Sequence, residues 1–281
     1  MVLKIYHDKV ATAPTKFDNG EYFLDLPIEN VHKDELPEIT VVTITRNRKN
    51  FFPLAINNWN RIYYPHDKLF WLVLDDSDTL EDGPVRELKN LKDDRVMYYY
   101  LKPEEKNGIK IPYTIGYKRN FAMSLIKTNL VVMLDDDDYM YRESILARVC
   151  LLNLYKKHCV YSHELGVYNT CQKSNYILEK FSDIPEGTLM FTKVWWEQQK
   201  FNENTTSGEG ISLAYGREAD MIKIPYMFNI IVLNHDKNYT GRLRSVVFKK
   251  HIKKKLATES PINFYNLFDE TFKDSMKVCN M

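Results

Sequence analysis

The chain has 281 residues, 44% hydrophobic, 27% charged and 13% aromatic, a composition that supports a sizeable core and excludes a disordered polymer. A formal net charge of +1 provides no global pull toward nucleic acid or an anionic membrane. Apolar runs such as "LFWLVL" at 69–74 fall far short of the roughly 20 residues of a membrane helix. The opening "MVLKIYHDKVATAP" lacks the apolar stretch of a signal peptide, so a cytoplasmic protein without a transmembrane segment is expected. Cys150, Cys159, Cys171 and Cys279 are too few for a disulfide scaffold at this length and suit a reducing compartment. No CxxC pair accompanies "HCVYSH", which argues against a zinc site there. The abundance of Asn, Lys, Ile and Tyr points to an AT-rich genome, viral genomes among them.

In chain order, the N-terminal stretch carries an apolar patch, "YFLDLPI", expected to pack on the main domain. Residues 39–45, "ITVVTIT", are β-branched and almost continuously apolar, as in a strand buried on both faces. The polar turn "RNRKN" leads into a helical stretch, "FFPLAINNWNRI". A second strand is expected at "KLFWLVL" and a third at 95–101, "RVMYYYL". "IGYKRNFAMSLIKT" predicts a helix whose apolar side carries Phe121, Ala122, Leu125 and Ile126. "NLVVML" is a fourth strand, and "FNIIVL" a later one. Strands and helices in alternation imply βαβ units and a mostly parallel sheet in an α/β fold.

Ligands of such sheets bind beyond the carboxyl ends of the strands. Four strands end there in polar clusters: Thr45-Arg46-Asn47-Arg48, Asp75-Asp76-Ser77-Asp78, Asp135 to Asp138, and Asn234-His235-Asp236. Four consecutive carboxylates repel one another unless a cation intervenes. Carboxylate oxygens suit Mg²⁺ or Mn²⁺, which usually complete their shells with phosphate oxygens, so a phosphorylated ligand is implied. An EF-hand is excluded, because Tyr139 and Met140 occupy the places of an oxygen ligand and the loop glycine. No GxxxxGK[ST] occurs, and no GxGxxG follows the first strand.

"TITRNR", "LVLDDSD", "IGYKRNFAMSLIKTNLVVMLDDDDYM" and "LNHDKNYTG" together resemble GT-A-fold glycosyltransferases, closest to the family 2 group that uses nucleotide-diphosphate sugars. The resemblance spans about residues 39–240. It implies a single Rossmann-like GT-A domain over 39–245, with 1–38 packed on it and 246–281 as a basic and aromatic helical tail. It also implies a UDP-sugar donor, a hydroxyl-bearing acceptor on a glycan or glycoprotein, and Mn²⁺ or Mg²⁺. By the same resemblance Asp135 touches the ribose and joins Asp137 in binding the metal, with Asp136 and Asp138 as substitutes because the run leaves the register open. Asp76 recognises the base beside Thr45, Arg46 and Arg48. Lys118, Arg119 and Asn120 flank the diphosphate, His235 is a late metal ligand, and Asn238 and Thr240 belong to a loop closing on the donor.

Inverting transfer needs a base to take the acceptor proton. The resemblance points to Glu209 in "TTSGEGISLAYGREAD", with Glu218 and Asp220 behind it, and with Gly210 where the family motif often has a second acid. "EGTLMFTKVWWEQQKF" resembles the acceptor-facing segment, where Trp195 or Trp196 would stack on a sugar. A nucleotidyltransferase acting on sugar phosphates and a catalytically inactive GT-A-like binding module are the competing readings. The first would place a glycine-rich loop where "TRNRKN" stands; the second draws on the missing acid at 210.

Overall fold

The computed structural model describes residues 10–13, 15–18, 21–24, 26, 32–178, 184–238 and 257–281. Its long sheet contains, from edge to edge, Ala11–Thr12, Met221–Lys223, Cys159–Tyr161, Met190–Thr192, Leu130–Met133, Ile39–Thr45, Leu69–Asp75 and Val96–Tyr100. Every neighbouring pair is parallel except the two made by Met190–Thr192. The central runs rich in Val, Ile, Leu and Thr are buried almost throughout, as a sheet covered on both faces requires. The α/β class and the first four strands match the sequence expectation to within a residue or two. Ala11–Thr12 goes further than packing, since it extends the sheet edge beside Met221–Lys223.

The "FNIIVL" run departs from expectation. Ile230–Asn234 lies in a second, five-stranded sheet, parallel to Leu165–Asn169 and antiparallel to Tyr139–Met140. A fully buried strand has the same apolar pattern in either sheet, so periodicity could not assign it. The pairing matters because Tyr139 directly succeeds Asp138. It ties the end of the aspartate run to the strand that ends just before His235.

Helices cover the long sheet. Helix Phe52–Arg61 begins with Pro53, suited to a first turn whose amides need no helical acceptor. Its Phe52 and Trp59 pack around Trp71, with ring centroids 6.2 and 5.4 Å apart. Complete burial of Phe52 and Leu54 contributes about 1.5–3 kcal/mol each. Helix Ile115–Leu125 is capped by Thr114 and ends before Thr128, whose hydroxyl pairs with that of Thr40 at 2.8 Å. Ala122 and Ile126 are buried as expected, whereas Phe121 and Leu125 are only partly so. In their place the buried face carries Lys118, Arg119 and Asn120.

Among the described residues of the C-terminal segment, the aromatic run forms a 3-10 turn at Phe264–Leu267 and Glu270–Val278 is α-helical. That helix packs on Phe52–Arg61 through Leu54, Phe268, Phe272 and Met276, with Arg61 and Asp269 paired at 2.5 Å. The basic run at 249–256 and Thr240 lie outside the described residues. Among the described residues no helix is long and apolar enough to cross a membrane.

Candidate functional site

Register brings the polar strand ends together. Thr45 is paired with Asp75, and Val42 with Met133, so 45–48, 75–78 and 134–138 emerge from one edge of the sheet. Asn47, in a left-handed conformation that Asn tolerates (φ 52°), joins two of these loops by donating to Asp78 at 2.7 Å. The edge opens into a cleft of about 790 Å³ walled by Arg46, Arg48, Lys118, Arg119, Glu209 and the aspartate run.

The four aspartates have different surroundings. Asp136 accepts from the Thr45 hydroxyl at 2.6 Å and lies 2.9 Å from Arg48 Nε. Burial, with the charges of Asp137 and Asp135, pushes its carboxyl up to about 6 despite Arg48 and Thr45. Asp137 Oδ2 receives Arg48 Nη2, and His235 Nε2 and Asn238 Nδ2 each at 3.1 Å. The Lys237 amide donates to His235 Nδ1 at 3.2 Å, and Asn238 Nδ2 lies 3.0 Å from His235 Nε2. Asp138 is structural: it accepts from the Leu233 amide at 3.1 Å, while its carbonyl accepts from Asn58 at 2.7 Å. Asp135 is the most exposed of the four. All four line the cleft, and Asp136 and Asp138 are also tied into the frame through Thr45 and Leu233.

Arg48 occupies the electrostatic position of a cation. Although burial opposes its charge, Asp136 and Asp137 raise its pKa above the ordinary range. Phe51, which sequence reasoning missed, supports both partners of Asp137: its ring lies 4.3 Å from the Arg48 guanidinium carbon and 4.8 Å from the His235 ring. The only sequence signal was an aromatic at the start of a helix, which usually means core.

At the far end of the cleft, Arg119 Nε donates to Glu209 Oε1 at 2.7 Å, with both side chains buried. Burial disfavours the Arg119 charge, but Glu209, Asp135 and Glu186 together raise its pKa. Glu186, partly exposed on the same wall, accepts from the Gly210 amide at 2.7 Å. Its carboxyl is pushed up to about 7, by burial first and by the charge of Glu209 second, against the pull of Arg119. Next to it, a side chain on Gly187 would bring its Cβ within 2.8 Å of Asp135 Oδ2. Gly187→Ala is thus expected to displace the Asp135 carboxylate and weaken Mn²⁺-dependent nucleotide binding several-fold with little loss of stability, as titration calorimetry would show. Glu186 and Gly187 open the segment expected to face the acceptor, but a 3-10 turn has no periodicity to single them out.

Several expected contacts take another form. Asp76 is fully buried and does not line the cleft: Lys118 donates to Oδ1 at 2.7 Å and the Tyr113 amide to Oδ2 at 3.2 Å. Arg46, Tyr113 and Lys118 stand in the cleft wall in its place. Asn120 also turns inward. It donates to the Phe201 carbonyl at 2.9 Å and to Glu203 at 3.0 Å, and accepts from the Trp196 indole at 3.0 Å. Trp195 and Trp196 are 1% and 5% exposed, with the Trp195 indole donating to Asp220 at 3.2 Å. Neither indole presents a face to an acceptor, because the helix Lys193–Gln198 turns both into the core. Glu218 and Asp220 do not line the cleft.

Among the described residues no three His, Cys, Asp or Glu side chains gather into a closed metal cage. Asp137 and His235 are the two that meet, with Asp135 on the same wall. One or two carboxylates match the way Mn²⁺ or Mg²⁺ is held when phosphates and waters complete the shell, whereas His235 stands behind Asp137 and does not line the cleft. The three donors converging on Asp137 Oδ2 mark where positive charge is favoured. The donor set thus fits a hard cation shared with a ligand.

No family model matches the chain, and no curated protein does. Solved structures do resemble it. TarS of S. aureus, residues 1–349 in complex with UDP-GlcNAc, superposes with a TM-score of 0.53 at 12% identity, over 72% of this chain and 60% of that one. The mannosyltransferase PcManGT of Pyrobaculum calidifontis, in complex with GDP-Man and Mn²⁺, superposes with a TM-score of 0.51 at 17% identity, over 89% of this chain and 73% of that one. The chain spans less than two thirds of the TarS fragment. At these identities the likeness is one of architecture, and on it the chain has a GT-A-like α/β fold.

Proposed function

We propose that the protein is a metal-dependent glycosyltransferase that moves a sugar from a UDP-sugar to a hydroxyl of a glycan or glycoprotein, with inversion. The carrying observation is the cleft at the carboxyl edge of the sheet, where Asp135 and Asp137 face Arg48, Arg119 and Lys118. Opposite charges in such numbers suit a ligand that brings both a divalent cation and a diphosphate. Asp137 would hold Mn²⁺ or Mg²⁺, with Asp135 turned to the ribose and His235 and Asn238 bracing Asp137. When bound, the cation would offset charge on the departing diphosphate. Arg119 would contribute to the same end, held in place by Glu209. Lys118, anchored by Asp76, would line the nucleotide end with Arg46, Thr45 and Tyr113. The uracil assignment rests on the sequence resemblance, while the two solved relatives carry one uridine and one guanosine donor.

A thermal-shift series tests this reading. UDP, UDP-GlcNAc and GDP-mannose are each added with and without Mn²⁺. A uridine nucleotide at 100 times its Kd is expected to stabilise the fold by about 2.7 kcal/mol, with Mn²⁺ required. Absence of a shift with every nucleotide in the presence of Mn²⁺ would sink the proposal.

A further inference from the structure

Glu209, the acid expected from sequence to act as base, is committed to Arg119. It is 2% exposed and its Oε1 receives the guanidinium at 2.7 Å. A base needs a free oxygen facing the acceptor side of the cleft. Three observations converge on its neighbour, Glu186. The carboxylate of Glu186 lies on the cleft wall and is oriented by the Gly210 amide at 2.7 Å. A Cβ on Gly210 would fall 2.9 Å from the Ile184 carbonyl oxygen and 3.1 Å from Glu186 Oε1, so this carboxylate and the Ile184 carbonyl together occupy the space that a side chain at 210 would claim. Gly187, one residue on, abuts Asp135, which places Glu186 between the nucleotide end of the cleft and the Arg119–Glu209 pair.

Resting on the function proposed above, we infer that Glu186 is the general base and that Glu209 is a positioning residue that holds Arg119. In the transfer, the acceptor oxygen bonds to the anomeric carbon and its O–H proton passes to a Glu186 carboxylate oxygen. The anomeric C–O bond to the diphosphate breaks, and its electron pair leaves with the nucleoside diphosphate. Neutral Glu186 then releases the proton to water. The charged groups facing Glu186 are Glu209 and Arg119; the first raises its proton affinity and the second limits the rise. With a pKa near 7, the carboxyl is ionised and able to accept a proton on the alkaline side and loses that ability as pH falls below neutrality.

The test uses water as the acceptor, with hydrolysis of UDP-GlcNAc and GDP-mannose by the full chain in Mn²⁺ as the readout. Glu186→Gln is expected to lower the rate on the order of 10²-fold or more while donor Kd stays within about threefold. Glu186→Ala should behave alike and regain part of its rate on addition of formate, a small external base. Glu209→Gln should instead weaken donor binding, because Arg119 loses its anchor. Normal donor binding with near-normal hydrolysis by Glu186→Gln overturns the base assignment and leaves the parent reading standing. Failure of formate to rescue Glu186→Ala, while that variant keeps its donor affinity, overturns it as well. Failure of the wild-type chain to bind any nucleotide sugar strikes the parent reading itself.

Discussion

Asp137→Ala is expected to abolish Mn²⁺-dependent nucleotide binding and to lower donor turnover by about 10³-fold, the equivalent of about 4 kcal/mol. The size follows from geometry. Arg48, His235 and Asn238 all converge on one oxygen of Asp137, and under the proposed function that oxygen would be where the cation is held. Removing that carboxylate removes the attraction, while His235 keeps the Lys237 amide and the Phe51 ring. The fold should survive. Arg48 keeps Asp136, 2.9 Å from its Nε, and loss of Asp137 relieves a repulsion that now helps push Asp136 up to about 6. That relief has a sign that can be checked: in the variant, the Asp136 carboxyl should titrate below 6, visible by carboxylate NMR. Calorimetry with UDP-GlcNAc, with and without Mn²⁺, decides the main point. Metal-dependent affinity equal to wild type would remove Asp137 from the site.

The acidic site was legible in the sequence because chemistry and topology coincide there. An apolar strand followed at once by carboxylates is a pattern that packing alone does not explain, and two such strands, Leu69–Asp75 and Leu130–Met133, flank Ile39–Thr45. The register of Asp135 to Asp138 was not legible. It depends on Asp138 joining Leu233, a contact across 95 residues with no local signature. The inward turn of Lys118, Arg119 and Asn120 was half legible: motif order marked them, while helical periodicity assigned the buried face to apolar neighbours. The tryptophans were ambiguous by nature, since an indole serves core and sugar equally well and only burial separates the two. Glu186 was hidden for a different reason. Its importance lies in what occupies the space beside Gly210, and an empty side-chain position says nothing until the fold shows what fills it.

The Asp76–Lys118 pair provides the second large effect, on stability. Asp76 is inaccessible to solvent and Lys118 nearly so, and a lone buried charge costs far more than a pair. Asp76→Ala strands the ammonium and is expected to destabilise the protein by about 3–5 kcal/mol, a fall in Tm on the order of 10 °C for a chain of this size. Lys118→Met should cost less, because Asp76 keeps the Tyr113 amide at 3.2 Å and Arg46 Nη1 at 3.6 Å. The double variant should be more stable than Asp76→Ala alone, with a coupling on the order of 1–3 kcal/mol in the cycle. Denaturant unfolding of the four proteins measures it directly. Additive losses would mean that Lys118 reaches solvent without its partner, and Asp76 would then have no hold on the cleft. A coupled result identifies Asp76 as the anchor that holds Lys118 in the cleft wall.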